Sequence, residues 1–173
     1  AVGLGLEFSR GPSRSGYRRR RRMLRGGVPR EVVRLANTQV TCQLVEFGME
    51  GDRILASVNG KSLAKYGWPA GASRKSVPAC YVAGYALAKS ATADGHGEAI
   101  LDIGLAASSP GSRVFAALRG MVDAGLDIPH GEGVLPDDDR IHGTHIDESI
   151  AAAAADRKSP RLHSSHKPSS YAV

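Results

Sequence analysis

The side chains best suited to chemistry in this sequence are guanidinium groups. Arg18, Arg19, Arg20, Arg21 and Arg22 are consecutive, and Arg10, Arg14, Arg25, Arg30 and Arg34 lie within the same first 34 residues. Five adjacent like charges repel one another and do not fold alone, so the run calls for a polyanion. Arginine, more than lysine, grips phosphate bidentately and stacks on bases. Nucleic acid is therefore the leading partner, with a solubilising tail or a targeting basic cluster as the plainer readings. The other reactive types are less promising. Cys42 and Cys80 fall within a strand pattern and a helix pattern, where they read as small core residues. His142 and His145, and His163 and His166, are spaced i, i+3 but have no cysteine partner or well-spaced third ligand, so no metal or other cofactor is expected. Glu31, Glu46 and Asp102 are the acids that a metal-dependent nuclease would need to converge, and as a two-metal set they look incomplete. No phosphate-binding glycine loop is present; Gly3-Leu4-Gly5 is a fragment in the arm.

The placement of charge sharpens this. Over 173 residues there are 23 basic and 17 acidic side chains. Residues 1–34 hold ten arginines against Glu7 and Glu31, a net charge of +8, whereas residues 35–173 hold 13 basic and 15 acidic side chains. A cationic arm thus precedes a nearly neutral body. Hydrophobic residues make up 42% and aromatics 5%, so Val, Ile, Leu and Ala must fill the core. No apolar run is long enough to span a bilayer, no apolar segment follows the basic arm as in a secretory signal, and two cysteines make no disulfide framework. A reduced, intracellular, soluble protein is the expectation.

Positioning elements can be read along the chain. A short helix is predicted over Tyr17 to Arg25, ended by Gly26-Gly27. Strands follow at Glu31 to Ala36, Gln39 to Phe47 and Arg53 to Val58, the last with Ile54, Ala56 and Val58 on one face. Tight turns between them predict an antiparallel meander. Lys61 to Tyr66 is one helical turn or two. A helix from Pro78 to about Ala93 has Ser76 as a candidate cap, Val82, Ala83, Ala86, Leu87 and Ser90 on one face, and Gly84 as a sign of close packing. Ala99 to Leu105 reads as a buried strand. Ser112 is placed to cap a helix from Arg113 to about Ala124, with Gly125 after it. Asp137, Asp138 and Asp139 suit the start of a short helix through about Ser149. The order βββ-α-β-α predicts an α/β or α+β sandwich with a mixed sheet, an order that also begins the ribonuclease-H-like nucleases. The expected divisions are a basic arm (1–27), an α/β docking domain (28–127), an extension (128–150) and a disordered tail (151–173).

The body adds groups suited to RNA. Asn37, Thr38 and Gln39 sit at a hairpin tip, Tyr66 and Trp68 share a loop region with Arg74 and Lys75, and Ser112 and Arg113 open a helix, whose N-terminus favours phosphate. Trp68 reads equally as a stacking ring and as a buried anchor beside Pro69. A generic basic-arm adaptor remains the alternative to a dedicated RNA-docking domain.

Two blocks carry a resemblance. The first is Gly51-Asp-Arg-Ile-Leu-Ala-Ser57 with Leu63-Ala-Lys-Tyr-Gly-Trp68. The second is Ala99-Ile-Leu-Asp-Ile-Gly-Leu105, Gly111-Ser-Arg-Val-Phe-Ala-Ala-Leu118 and Asp123-Ala-Gly-Leu-Asp-Ile-Pro-His-Gly-Glu132, continuing through Pro136-Asp137, Arg140-Ile141 and Gly143 to His145-Ile146. Over roughly residues 17–148 the chain resembles the archaeal and eukaryotic branch of the large-subunit ribosomal protein eighteen family, whose eukaryotic members are called ribosomal protein L-five. The resemblance implies a non-catalytic constituent of the large ribosomal subunit in the cytoplasm. It would bind 5S rRNA, large-subunit rRNA and neighbouring proteins of the central protuberance, with no small-molecule substrate and no membrane. It would give the mixed α/β sandwich shared with translational-machinery relatives and place Tyr17, Arg18 to Arg22, Arg25, Arg30, Arg34, Asn37, Thr38, Gln39, Arg53, the loop of Tyr66, Trp68, Arg74 and Lys75, and Ser112 and Arg113 on the RNA side; Arg14, Lys61 and Arg140 are further basic candidates for that side. Where relatives carry basic residues at the first hairpin turn, this chain has Leu35-Ala-Asn-Thr-Gln39, which leaves the arm to compensate.

Overall fold

A computed structural model describes residues 20–69 and 71–144. Expectations for Arg14, Tyr17, Arg18 and Arg19, and for His145 and everything after it, lie outside the described residues.

The chain enters through α1, helical over residues 20–24, which closes on a turn at Arg25 and Gly26. Strands β1 (Arg30–Leu35), β2 (Val40–Glu46) and β3 (Arg53–Asn59) form the predicted antiparallel meander. A short 3-10 helix (Ser62–Tyr66) leads by a loop to α2 (Val77–Ala93). The chain then crosses to β4 (Ile100–Asp102), which pairs parallel to β1 and gives the sheet order β3-β2-β1-β4. Helices α3 (Arg113–Asp123) and α4 (Asp138–His142) follow. The architecture is thus α/β with a mixed sheet in the order βββ-α-β-α. None of the described helices is long and apolar enough to cross a membrane.

Alternation sorts the sheet into two faces. Val33, Val40, Cys42, Leu44 and Val58 are buried in one core with α2 and α3. Arg30, Val32, Arg34, Gln43, Val45 and Ile54 point the other way and line a groove of about 550 Å³. The predicted face of β3 is only partly right. Leu44 pairs with Ala56 but Val45 pairs with Ile54, so Leu55 is an extra residue. That bulge turns Ile54 out of the core, where it is 55% exposed, while Leu55 packs inward. Phe47, the last residue of the predicted second strand, lies past the end of β2 and is exposed.

Ser76 caps α2 as expected, its hydroxyl accepting from Ala79 N. The helix is buried on more than the one predicted face, because it lies between the sheet and α3: Ala79, Cys80, Ala83, Gly84, Leu87, Ala88 and Ala91 are all buried, while Ser90 is exposed. A Cβ on Gly84 would stand 2.1 Å from Ala117 O, and one on Gly120 would stand 2.2 Å from Tyr81 O. The two glycines let the helix backbones touch where they cross. The buried strand predicted over Ala99 to Leu105 shortens to three residues at the sheet edge, and Leu105 is 94% exposed. Ser112 occupies the N-cap of α3 but makes no capping bond. Its amide donates to Ser109 O in the tight turn through Gly111, and its hydroxyl is buried without a partner. The helix predicted from Asp137 is interrupted after His142, where Gly143 turns left-handed at φ 83°; Thr144 is helical again, and the rest of the predicted span, 145–149, lies outside the described residues. Arg119 of α3 ties this extension down, donating to Pro136 O and to the Asp138 carboxylate.

Candidate nucleic-acid interface

Three groups of predicted residues are brought together. The first surrounds the hairpin tip. Asn37 and Thr38 are exposed between β1 and β2. Gln39 forms an isolated bridge with Arg74, whose carbonyl accepts from Val40 N at 3.0 Å. Gly60 fits between them, since a Cβ there would come within 2.6 Å of Gln39 Cβ and 2.9 Å of Arg74 Cβ. Lys61 follows, held at its amide by Asn59 Oδ1, and Lys75 adjoins Arg74. The tip itself carries no cation, but the fold supplies three from segments distant in sequence. In the same region Tyr66 is 53% exposed, whereas Trp68 is half-buried and packed against the core, its indole N–H buried without a partner. The packing favours the anchor reading for Trp68 and leaves Tyr66 as the ring offered to solvent.

The second group lies on the open face of the sheet. Arg20 of α1 donates from Nη2 to both oxygens of Asp52, at 2.9 and 2.7 Å. Arg30 donates from Nη2 to Asp52 at 2.7 Å and from Nη1 to Asp102 at 3.3 Å. Arg34 donates to the same Asp102 oxygen at 3.3 Å and to the carbonyls of Asp102 and Val33. The other Asp102 oxygen accepts from Gly104 N. Gly104 has φ 61°, a conformation that favours glycine, and a Cβ there would lie 2.8 Å from Arg34 Cζ, so the guanidinium packs directly over its backbone. Arg30, expected on the RNA side, is only 4% exposed and meets carboxylates instead. Arg21, Arg22 and Arg25 remain exposed on α1 and its turn, as does Arg53 at the start of β3.

The third group is at the start of α3. Arg113 is exposed there, and Arg140 of α4 approaches Gly111, one residue before Ser112.

Sequence reading missed Asp52 and Arg119, and read Asp102 only as a possible nuclease acid. Asp52 lies in a turn, and its partners are 22 and 32 residues away. A sharp turn giving an acid directly before a strand was the one available signal. The nuclease alternative fails on geometry. Asp102 pairs with Val32 on the open face, whereas Glu31, one residue along β1, points into the core, and Glu46 is exposed at a strand end. The acids do not converge, and no cluster able to hold a metal occurs among the described residues.

Glu31 is itself unusual. It is fully buried, neither carboxylate oxygen has a hydrogen-bond partner, and burial pushes its pKa up to about 8. Burial likewise raises both thiols, with Glu31 and Cys80 adding to the effect at Cys42, and with Arg113 opposing it at Cys80, which is pushed up to about 12. Neither cysteine forms a thiolate at neutral pH, as their core reading expected.

Comparison with known proteins covers most of the described residues. A family model described as ribosomal large subunit proteins 60S L5 and 50S L18 matches residues 10–96 and 89–131. The large ribosomal subunit protein uL18 of Methanoculleus marisnigri is 49% identical over 140 residues, covering 81% of this chain and 79% of its own. That of Methanothermobacter thermautotrophicus is 49% identical over 132 residues, covering 76% and 68%. That of Methanobrevibacter smithii reaches 56% over 117 residues, covering 68% and 60%.

Proposed function

The chain belongs to the family of ribosomal large subunit proteins 60S L5 and 50S L18, and from that membership we propose that it binds 5S rRNA and holds it against the large-subunit rRNA in the central protuberance. It is a non-enzymatic structural constituent of the large ribosomal subunit, with rRNA and ribosomal proteins as partners. The observation that carries the finer reading is the grouping of cations on a neutral body. The hairpin tip gathers Lys61, Arg74 and Lys75, α1 presents Arg20, Arg21 and Arg22 beside the sheet, and Arg113 and Arg140 flank the start of α3. Cations dispersed over a folded frame in this way suit the backbone of a folded RNA, which is recognised mainly through shape and phosphates.

Titration of the protein against a 5S rRNA transcript and a duplex DNA of similar length, over a salt series, tests this. Tighter binding to 5S rRNA at physiological salt and a steep fall in affinity with salt are expected. Replacing Arg18 to Arg22 by Ala flattens the slope. Equal affinity for the two nucleic acids would leave only a generic polyanion binder.

A further inference from the structure

Arg20, Asp52, Arg30, Asp102 and Arg34 form an unbroken chain of alternating charge across the open face of the sheet. We infer that Asp52 and Asp102 are positioning residues for RNA binding, which pre-set Arg20 and Arg34, at the two ends of this chain, to receive backbone phosphate. This rests on the RNA-binding function proposed above and names how that face would act.

The geometry distinguishes the members. Arg30 is the buried centre, 4% exposed at its side chain and gripped by both acids. Arg20 and Arg34 are the ends, each 47% exposed. Among the described residues Arg20 bonds only through Nη2, so its Nη1 and Nε donors remain for a ligand. Both ends border the groove of about 550 Å³, whose wall also includes Met23, Val32 and Ile54. Three guanidiniums and two carboxylates leave the chain one positive charge in excess, which favours an anion at its exposed ends. A free arginine loses rotamer freedom when it closes on phosphate, whereas one already held at one edge has less to lose. Asp102 is held in turn, by Gly104 N and by two arginines, so the array is braced on the sheet backbone.

Counting charge alone gives the opposite expectation, because removing an acid beside an RNA-facing surface should strengthen binding. That difference in sign makes the test. Affinity for a 5S rRNA transcript is measured for the full chain and for Asp52→Asn, Arg20→Ala, the double variant, and Glu132→Gln as an exposed acid outside the array. Asp52 lies in an exposed turn and keeps its shape as Asn, and a thermal melt shows that each variant is folded at the binding temperature. Asp52→Asn is expected to weaken binding about fivefold and to lower the salt slope, Arg20→Ala to do the same, and the double variant to lose less than the product of the two. Glu132→Gln is expected to bind as the parent does or slightly tighter. Asp52→Asn binding as tightly as the parent or more tightly would overturn the inference, and so would losses that multiply in full. Binding by the parent chain reads the proposed function separately, so failure there and failure here are distinct results.

Discussion

Glu31 shows most directly what one side chain contributes to this molecule. Its carboxyl sits on the core face of β1 among apolar groups, with nothing to bond. The folded state therefore keeps it protonated up to about pH 8, against 4.5 as the ordinary value. Stability is full below the unfolded pKa, because both states then hold the proton. It falls as pH rises from about 4.5 towards 8, since unfolding releases that proton, and the loss levels off once the folded carboxyl also ionises. At pH 7 the cost is about 3 kcal/mol, at 1.36 kcal/mol for each pH unit above the unfolded value. Glu31→Leu is expected to raise the melting temperature, with a gain larger at pH 7.5 than at pH 5. A gain that does not change with pH would mean that the carboxyl titrates normally. Sequence placed Glu31 at the start of a strand and offered it only as one acid of an incomplete nuclease set. Whether it faced core or solvent depended on the register of β1 against β2, which a single residue does not reveal.

At the scale of elements, the contact between α2 and α3 has the least room for change. Gly84 of α2 lies against the backbone of α3 at Ala117, and Gly120 of α3 against Tyr81 and Tyr85 of α2. A methyl at either position meets main-chain atoms, which cannot rotate away. Gly84→Ala is expected to destabilise the fold by about 3 kcal/mol in urea unfolding, although alanine favours a helix. A neutral or stabilised variant would show that the helices can separate without penalty. This contact was half legible. A glycine inside a helical pattern signalled close packing at Gly84, while Gly120 carried no such reading. The meander and both long helices were readable because their periods are local. The bulge at Leu55 was not, since it is defined only by pairing with β2, and it inverted the expected face of Ile54. The open-face array was illegible for the same reason: its ion pairs join residues 22 to 72 positions apart.

The whole molecule explains the division of charge. The body is slightly acidic by count, yet several of its acids face arginines within the fold: Asp52 and Asp102 on the sheet, Asp123 and Asp138 around Arg119. Asp52 and Asp102 thereby take up arginines of the first 34 residues, and cations outside these ion pairs stand at the hairpin tip, at α1 and at the start of α3. The division of charge was plain in the sequence, but which cations were already spoken for was not. Topology adds a kinetic expectation. Pairings of β1 with β2 and of β2 with β3 are local, whereas β1 meets β4 only across about 70 residues. Non-local pairing bears the larger closure entropy and forms late. Leu101→Ala is therefore expected to speed unfolding with little effect on the refolding rate, and Leu44→Ala to slow refolding. Stopped-flow chevrons would show the reverse if β4 docks first.

The parallel pairing of β4 with β1 has one more consequence. Asp102 arrives with the last strand, whereas Arg30 and Arg34 belong to the first. A chain arrested after the meander would display loose, mobile arginines. The braced array exists only once the sheet has closed, so the state of this face reports on completion of folding, and, if it is the proposed RNA-binding face, a half-made copy would compete poorly for a place in an assembling particle.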